Sequence, residues 1–247
     1  MNKKGILLFL LGVLSTALVF GVAAFVQSKA ETPATLSQKA ALPAAPLQET
    51  PSAPPAATAV ETPAFTAFIY RTPGARSVVH AVKPGENLTA ISKKYNVTVD
   101  LIKKINGLSG DRLMAGAKLT LPTAKLSVVV DKSQNTLILK GDEEVLKTYV
   151  VSTGKNNNTP VGVFKITNKL LRPIWYRDGR AIPYGDPENI LGTRWLGLDK
   201  QGYGLHGTTE PEKLGQQVTA GCVRLRNQDV EELYSLLPAG TEVTIVD

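Results

Sequence analysis

The sequence predicts two folded units of different class. A small α+β unit, ordered strand, helix, helix, strand, occupies residues 78–123, and a mainly β unit with one C-terminal helix occupies 125–247. Three observations predict this. Between Val78 and Pro122, two runs with apolar residues at helical spacing sit between two strand-like runs. From Lys125 onward, apolar and polar residues alternate in short runs cut by Asn135 and by Gly141-Asp142, as in half-buried strands. Upstream, residues 31–77 are so rich in Pro, Ala, Thr and Ser that they cannot build a core.

Taken in order, Lys3 and Lys4 precede an uncharged run from Gly5 to Val26. As a helix rising about 1.5 Å per residue, that run is roughly as long as a bilayer core is thick. Residues 1–30 are therefore expected to be a signal peptide or an N-terminal membrane anchor. The run is longer than the usual signal core of about 7–15 residues, while Ser28 and Ala30 supply the small residues of a cleavage site. With the lysines held inside, the rest of the chain is expected in the periplasm or cell envelope. The linker at 31–77 carries Pro33, Pro43, Pro46, Pro51, Pro54, Pro55, Pro63 and Pro73 and suits an extended tether. Phe65, Phe68, Ile69 and Tyr70 form one apolar cluster within it, placed to dock on the next unit.

The net charge of +7 is unevenly placed. Residues 78–123 hold seven basic and three acidic side chains, whereas 124–247 hold fifteen of each. A nucleic-acid surface would interleave basic residues with stacking aromatics, and 78–123 offers only Tyr95, so that partner is set aside.

In the small unit, Val79, Ala81 and Val82 read as a strand and Pro84-Gly85 as a turn. Asn87 can cap a helix with Leu88, Ile91 and Tyr95 on one face, and Thr98 a second with Leu101, Ile102 and Ile105 on one face. Asn106-Gly107 stops that helix, and Lys118 to Leu121 form the closing strand. His80, at the strand edge, reads as a surface residue. The stretch VKPGENLTAISKKYNVTVDLIKKINGL, followed by LMAGAKLTLP, resembles a LysM domain along its whole length. The resemblance implies a groove for glycan strands between Gly85, Glu86 and Asn87 on one loop and Asn106, Gly107 and Leu108 on another.

In the large unit, strands are expected at Ser127–Asp131, Thr136–Lys140 and Val145–Ser152, then around Val161, Val163 and Ile166, and at Gly202–His206, in an all-β meander. Asn227 reads as the cap of the late helix, with Val230, Leu233, Tyr234 and Leu237 facing inward and Pro238 with Gly240 ending it. Glu242–Val246 is the closing strand. Trp175, Tyr176 and Trp195 read first as core aromatics and second as cleft lining.

Cys222 is the only cysteine and His206 one of two histidines. A thiol beside a base is a nucleophile, and His206 is the only histidine of this unit. One cysteine and one histidine do not make a zinc set, and thiol chemistry needs no cofactor. The stretches VVSTGKNNNTPVGVFKI, GLHGT and TAGCVRL resemble a YkuD-type L,D-transpeptidase catalytic domain, the last matching its [ST]-x-G-C-x-R pattern at Thr219, Gly221, Cys222 and Arg224. Many members carry a second histidine where this chain has Ala220.

The resemblance implies that Cys222 is the nucleophile, His206 the general base and acid, Gly221 an oxyanion amide and the carbonyl near Gly207 the group that orients the imidazole. Thr219 and Arg224 are expected at the substrate, Arg224 equally as a brace of the loop. The activity so implied cuts a tetrapeptide stem of peptidoglycan after its third residue and transfers it to an amine on another stem. A lipoprotein lysine or water are the alternative acceptors, and a non-catalytic wall-binding protein is the reading from another class.

Overall fold

The computed structural model describes residues 76–247; the leader, the rest of the linker and the Phe65–Tyr70 cluster lie outside the described residues. Among the described residues no helix is long and apolar enough to cross a membrane.

In the small unit, β1 (Ser77–Ala81) and β2 (Lys118–Pro122) pair antiparallel, with α1 (Leu88–Tyr95) and α2 (Val99–Ile105) between them in sequence. Both expected caps form. Asn87 Oδ1 accepts from the Ala90 amide at 2.8 Å, and Thr98 Oγ1 from the Leu101 amide at 3.0 Å. Leu88, Ile91, Ile102, Leu119 and Leu121 make the core. His80 corrects the surface reading: it is 6 % exposed, with Tyr95 Oη 3.1 Å from Nδ1 and Glu86 Oε2 2.8 Å from Nε2. A polar ring at a strand edge can turn inward when both nitrogens find partners there.

The large unit contains β3 (Leu126–Asp131), β4 (Thr136–Gly141), β5 (Glu144–Val150), β6 (Thr153–Gly154), β7 (Gly162–Leu171), β8 (Trp175–Arg177), β9 (Arg180–Ile182), β10 (Arg194–Leu198), β11 (Gly204–His206), β12 (Gln217–Thr219), β13 (Val223–Arg224), α3 (Asn227–Leu236) and β14 (Glu242–Val246). The expected meander holds only for β3, β4 and β5. The last strand inserts into the middle of an eight-stranded sheet of order β13-β11-β10-β7-β14-β3-β4-β5, parallel to β3 and antiparallel to β7. A meander would leave one edge of β3 open; β14 closes it along its length and buries Val243 and Ile245.

Helix α3 packs against β10 and β11, the strands that lead to the site. Its fully buried residues are Val230, Leu233 and Leu236, whereas Tyr234, expected inside, is half-buried beneath Lys169 Nζ at 4.3 Å from the ring centroid. The cap position is Arg226, not Asn227, and no side chain caps it.

The two units are joined through α2. Leu101 of α2, 3 % exposed, belongs to the apolar cluster of the large unit, and Ile105 packs against the same cluster. The Thr98 hydroxyl, besides capping α2, donates to the Ser235 carbonyl of α3. Arg76 Nη1 reaches Glu144 Oε2 at 3.2 Å.

Candidate active site

Strands β11 and β13 run parallel, with Leu205 opposite Val223 and His206 opposite Arg224. In that register Cys222, just before β13, lies level with Gly204, one pleat repeat from His206. Residues so offset face the same side as diagonal neighbours. Sequence separation of the two residues is thus closed by strand pairing.

His206 is 3 % exposed, and its Nδ1 lies 2.6 Å from the Gly207 carbonyl oxygen. A carbonyl only accepts, so Nδ1 carries the hydrogen and Nε2 keeps its lone pair. Trp195, opposite His206 on β10, stacks on the ring with centroids 5.8 Å apart and planes at 19°. Burial pushes the imidazole down to about 4; the Gly207 carbonyl pulls it up, the Arg224 charge adds to the fall, and the Leu191 backbone opposes it.

Cys222 is half-buried and its thiol donates to the Gly202 carbonyl at 3.4 Å. Burial raises its pKa, against a smaller downward pull from a Gly204 backbone hydrogen bond and from Arg224. At neutral pH the resting site therefore holds a neutral thiol and a neutral imidazole. Proton transfer has to accompany attack.

The loop around the sulfur is tightly built. Gly221 has φ +141°, and a Cβ there would lie 2.8 Å from the Tyr203 ring and 3.2 Å from the Asn158 carbonyl oxygen. Thr219, expected at the substrate, is 6 % exposed; its hydroxyl donates to the Cys222 carbonyl at 2.7 Å and accepts from the Gly221 amide at 3.2 Å. It braces the loop, and the same bond occupies the Gly221 amide expected to serve the oxyanion. Arg224, 4 % exposed, bonds Glu210 Oε2 at 3.0 Å, and its buried Nε has no partner. Glu210 holds Lys213 as well. Its burial and its pair with Glu210 are what a brace of the loop requires. At Ala220 the carbonyl accepts from Asn158 Nδ2 at 2.7 Å, tying the 154–159 loop to the nucleophile loop.

A cleft of about 300 Å³ opens beside Cys222, lined by Leu170, Ile174, Trp175, Tyr176, Leu191 and Trp195 among others. The core reading of the aromatics is corrected: Trp175 and Tyr176 sit on the β8–β9 hairpin and Tyr176 is 74 % exposed. The wall of the cleft is mainly apolar.

The family model of the YkuD L,D-transpeptidase catalytic domain matches residues 125–245, and that of the LysM domain matches 80–122. "Putative L,D-transpeptidase YkuD" of Bacillus licheniformis is 35 % identical over 176 residues, covering 68 % of this chain and 98 % of that protein. The protein of the same name from Bacillus subtilis is 34 % identical over 175 residues, with coverage of 68 % and 98 %. The chain belongs to the YkuD family of L,D-transpeptidases. Its YkuD domain is the mainly β unit that carries Cys222 and His206, and its LysM region is the strand, helix, helix, strand unit.

In the LysM region, Gly85 (φ +81°) and Gly107 (φ +62°) have open space around them, as left-handed turn positions. The polar side chains of the expected glycan loops hold the loops themselves. Glu86 accepts from the Lys83 amide at 2.8 Å, which with His80 lowers its pKa. Asn87 caps α1. Asn106 donates to Ile102 and Thr120 carbonyls and accepts from the Thr120 amide, all at 2.7 to 2.8 Å. Leu108 packs on the small core. Sequence reasoning gave no role to Asn158, Tyr203 or Gly202 around the thiol: Asn158 stands within the VVSTGKNNNTPVGVFKI stretch, whereas Tyr203 and Gly202 stand in no motif, and all three arrive there through the fold.

Proposed function

We propose that this YkuD-family chain is an exported L,D-transpeptidase of peptidoglycan working through a thioester on Cys222. The pairing of β11 with β13, which brings the loop of Cys222, at the rim of an apolar cleft, beside the strand that ends in His206, supports the reading. Nε2 of His206 accepts the thiol proton as Sγ attacks the carbonyl of the third stem residue. The oxyanion is received by the Cys222 amide, joined by the Gly221 amide once its bond to Thr219 yields. The imidazolium, favoured by the Gly207 and Leu191 carbonyls, returns its proton to the leaving amine of D-alanine. An amine on a second stem then attacks the thioester, gives its proton to His206 and restores the thiol. The bond so formed joins the third residues of two stems, and the LysM region binds the same peptidoglycan.

Incubation of the full chain with tetrapeptide muropeptides tests this. Expected are free D-alanine and a dimer joined at the third residues, with neither from Cys222→Ser or His206→Ala while sacculus binding persists. Tripeptide without dimer would shift the acceptor to water, and a stem on a protein lysine would shift it to a lipoprotein. Wall binding without any D-alanine release from the wild type would leave a non-catalytic binding protein.

A further inference from the structure

Asn227 opens α3, yet its side chain turns away from the helix it was expected to cap. Oδ1 accepts from the Thr193 amide at 3.2 Å and from the Thr208 amide at 3.1 Å, and Nδ2 donates to the Thr208 carbonyl at 3.0 Å. Three bonds from one side chain thus join the loop entering β10 to the loop leaving β11. The backbone is shaped around that amide. A Cβ on Gly192 would lie 2.2 Å from Oδ1, and one on Gly207 2.1 Å from it. Real side chains do not approach so closely, so both positions need glycine if Asn227 is to reach.

The Thr208 N–H and the Gly207 C=O belong to one peptide unit, and a peptide unit is planar and trans. Its N–H end is held by Asn227, and its C=O end accepts from His206 Nδ1 at 2.6 Å. Fixing one end of a plane aims the other. A flipped 207–208 peptide would present an N–H to Nδ1, and the ring would then favour its hydrogen on Nε2, where no lone pair is left for the thiol proton.

We propose that Asn227 is the positioning residue for His206, holding the 207–208 peptide so that the imidazole keeps its hydrogen on Nδ1 and its base at Nε2. The catalytic consequence rests on the base role given to His206 above; the tautomer itself does not. The part that a carboxylate plays beside many catalytic histidines is here carried by a side-chain amide through a backbone plane.

The test is nitrogen-15 NMR of the histidine rings in the full chain at neutral pH, for wild type and Asn227→Ala, with melting curves and turnover of a tetrapeptide muropeptide. His80, the only other histidine, is the internal control. Expected is a single Nδ1–H form of His206 in wild type. In Asn227→Ala the Nε2–H form should appear, His80 should be unchanged, and kcat should fall about 10- to 100-fold with little change in KM. Asn227→Asp keeps an acceptor for both amides and should restore the Nδ1–H form. A residue that only stabilises the fold would lower the melting temperature and leave tautomer and kcat as in wild type; that result overturns the proposal. Should Asn227→Ala not fold, hydrogen exchange in wild type decides: the Thr208 amide is expected to be protected, and free exchange there overturns the proposal. If wild type turns over no muropeptide, the tautomer readout still stands apart from the functional reading.

Discussion

At His206 the cost of burying a base sets a measurable slope. Its ordinary pKa of 6.5 in the unfolded chain becomes about 4 in the fold, so between those values the unfolded state binds more protons. Stability is therefore complete above about pH 6.5 and falls as pH drops toward 4, by on the order of 3 kcal/mol. His206→Gln should lack this component. Melting temperatures of both proteins from pH 4 to 7 check it, and parallel curves would show that the ring is not buried neutral. The thiol has its own prediction. Because Cys222 is the sole cysteine and burial raises its pKa, iodoacetamide should modify it at pH 7 more slowly than free cysteine. Rapid modification at pH 6 would instead indicate a resting thiolate–imidazolium pair.

Among the elements, the nucleophile loop is the most constrained. Gly221→Ala puts a methyl 2.8 Å from the Tyr203 ring at φ +141°, so a loss of about 1–3 kcal/mol and a tenfold or greater fall in muropeptide turnover are expected. Wild-type turnover in that variant would mean that the loop relaxes freely. What could be read in advance divides along locality. The caps at Asn87 and Thr98 were legible because a side chain and an amide three residues on decide them. The stretches that hold His206 and Cys222 were legible because each is contiguous, and the pairing of β11 with β13 makes them neighbours. The insertion of β14 between β7 and β3 was not, since alternation in Glu242–Val246 says that a strand exists and not which edges it joins. Asn227 was misread for the same reason: the sequence places it at a helix start, but its partners Thr193 and Thr208 lie 34 and 19 residues away.

For the molecule as a whole, α2 is the joint. Helical spacing puts Leu101, Ile102 and Ile105 on one broad face, and the structure divides it: Ile102 fills the small core, while Leu101 and Ile105 enter the large one. The LysM region is therefore packed onto the core of the catalytic domain through α2. Leu101→Ala should cost about 2–5 kcal/mol and lower a single shared melting transition. Two independent transitions, with only the LysM one moved, would show that the units are separate.

In the proposed reaction Cys222, served by His206, takes a stem peptide as a thioester. Mass spectrometry of the intact chain after brief exposure to tetrapeptide muropeptide tests it most directly. Expected is an adduct equal to the muropeptide less D-alanine, mapped to Cys222, and absent in Cys222→Ala. D-alanine released with Cys222 unmodified, or released equally by Cys222→Ala, would contradict it.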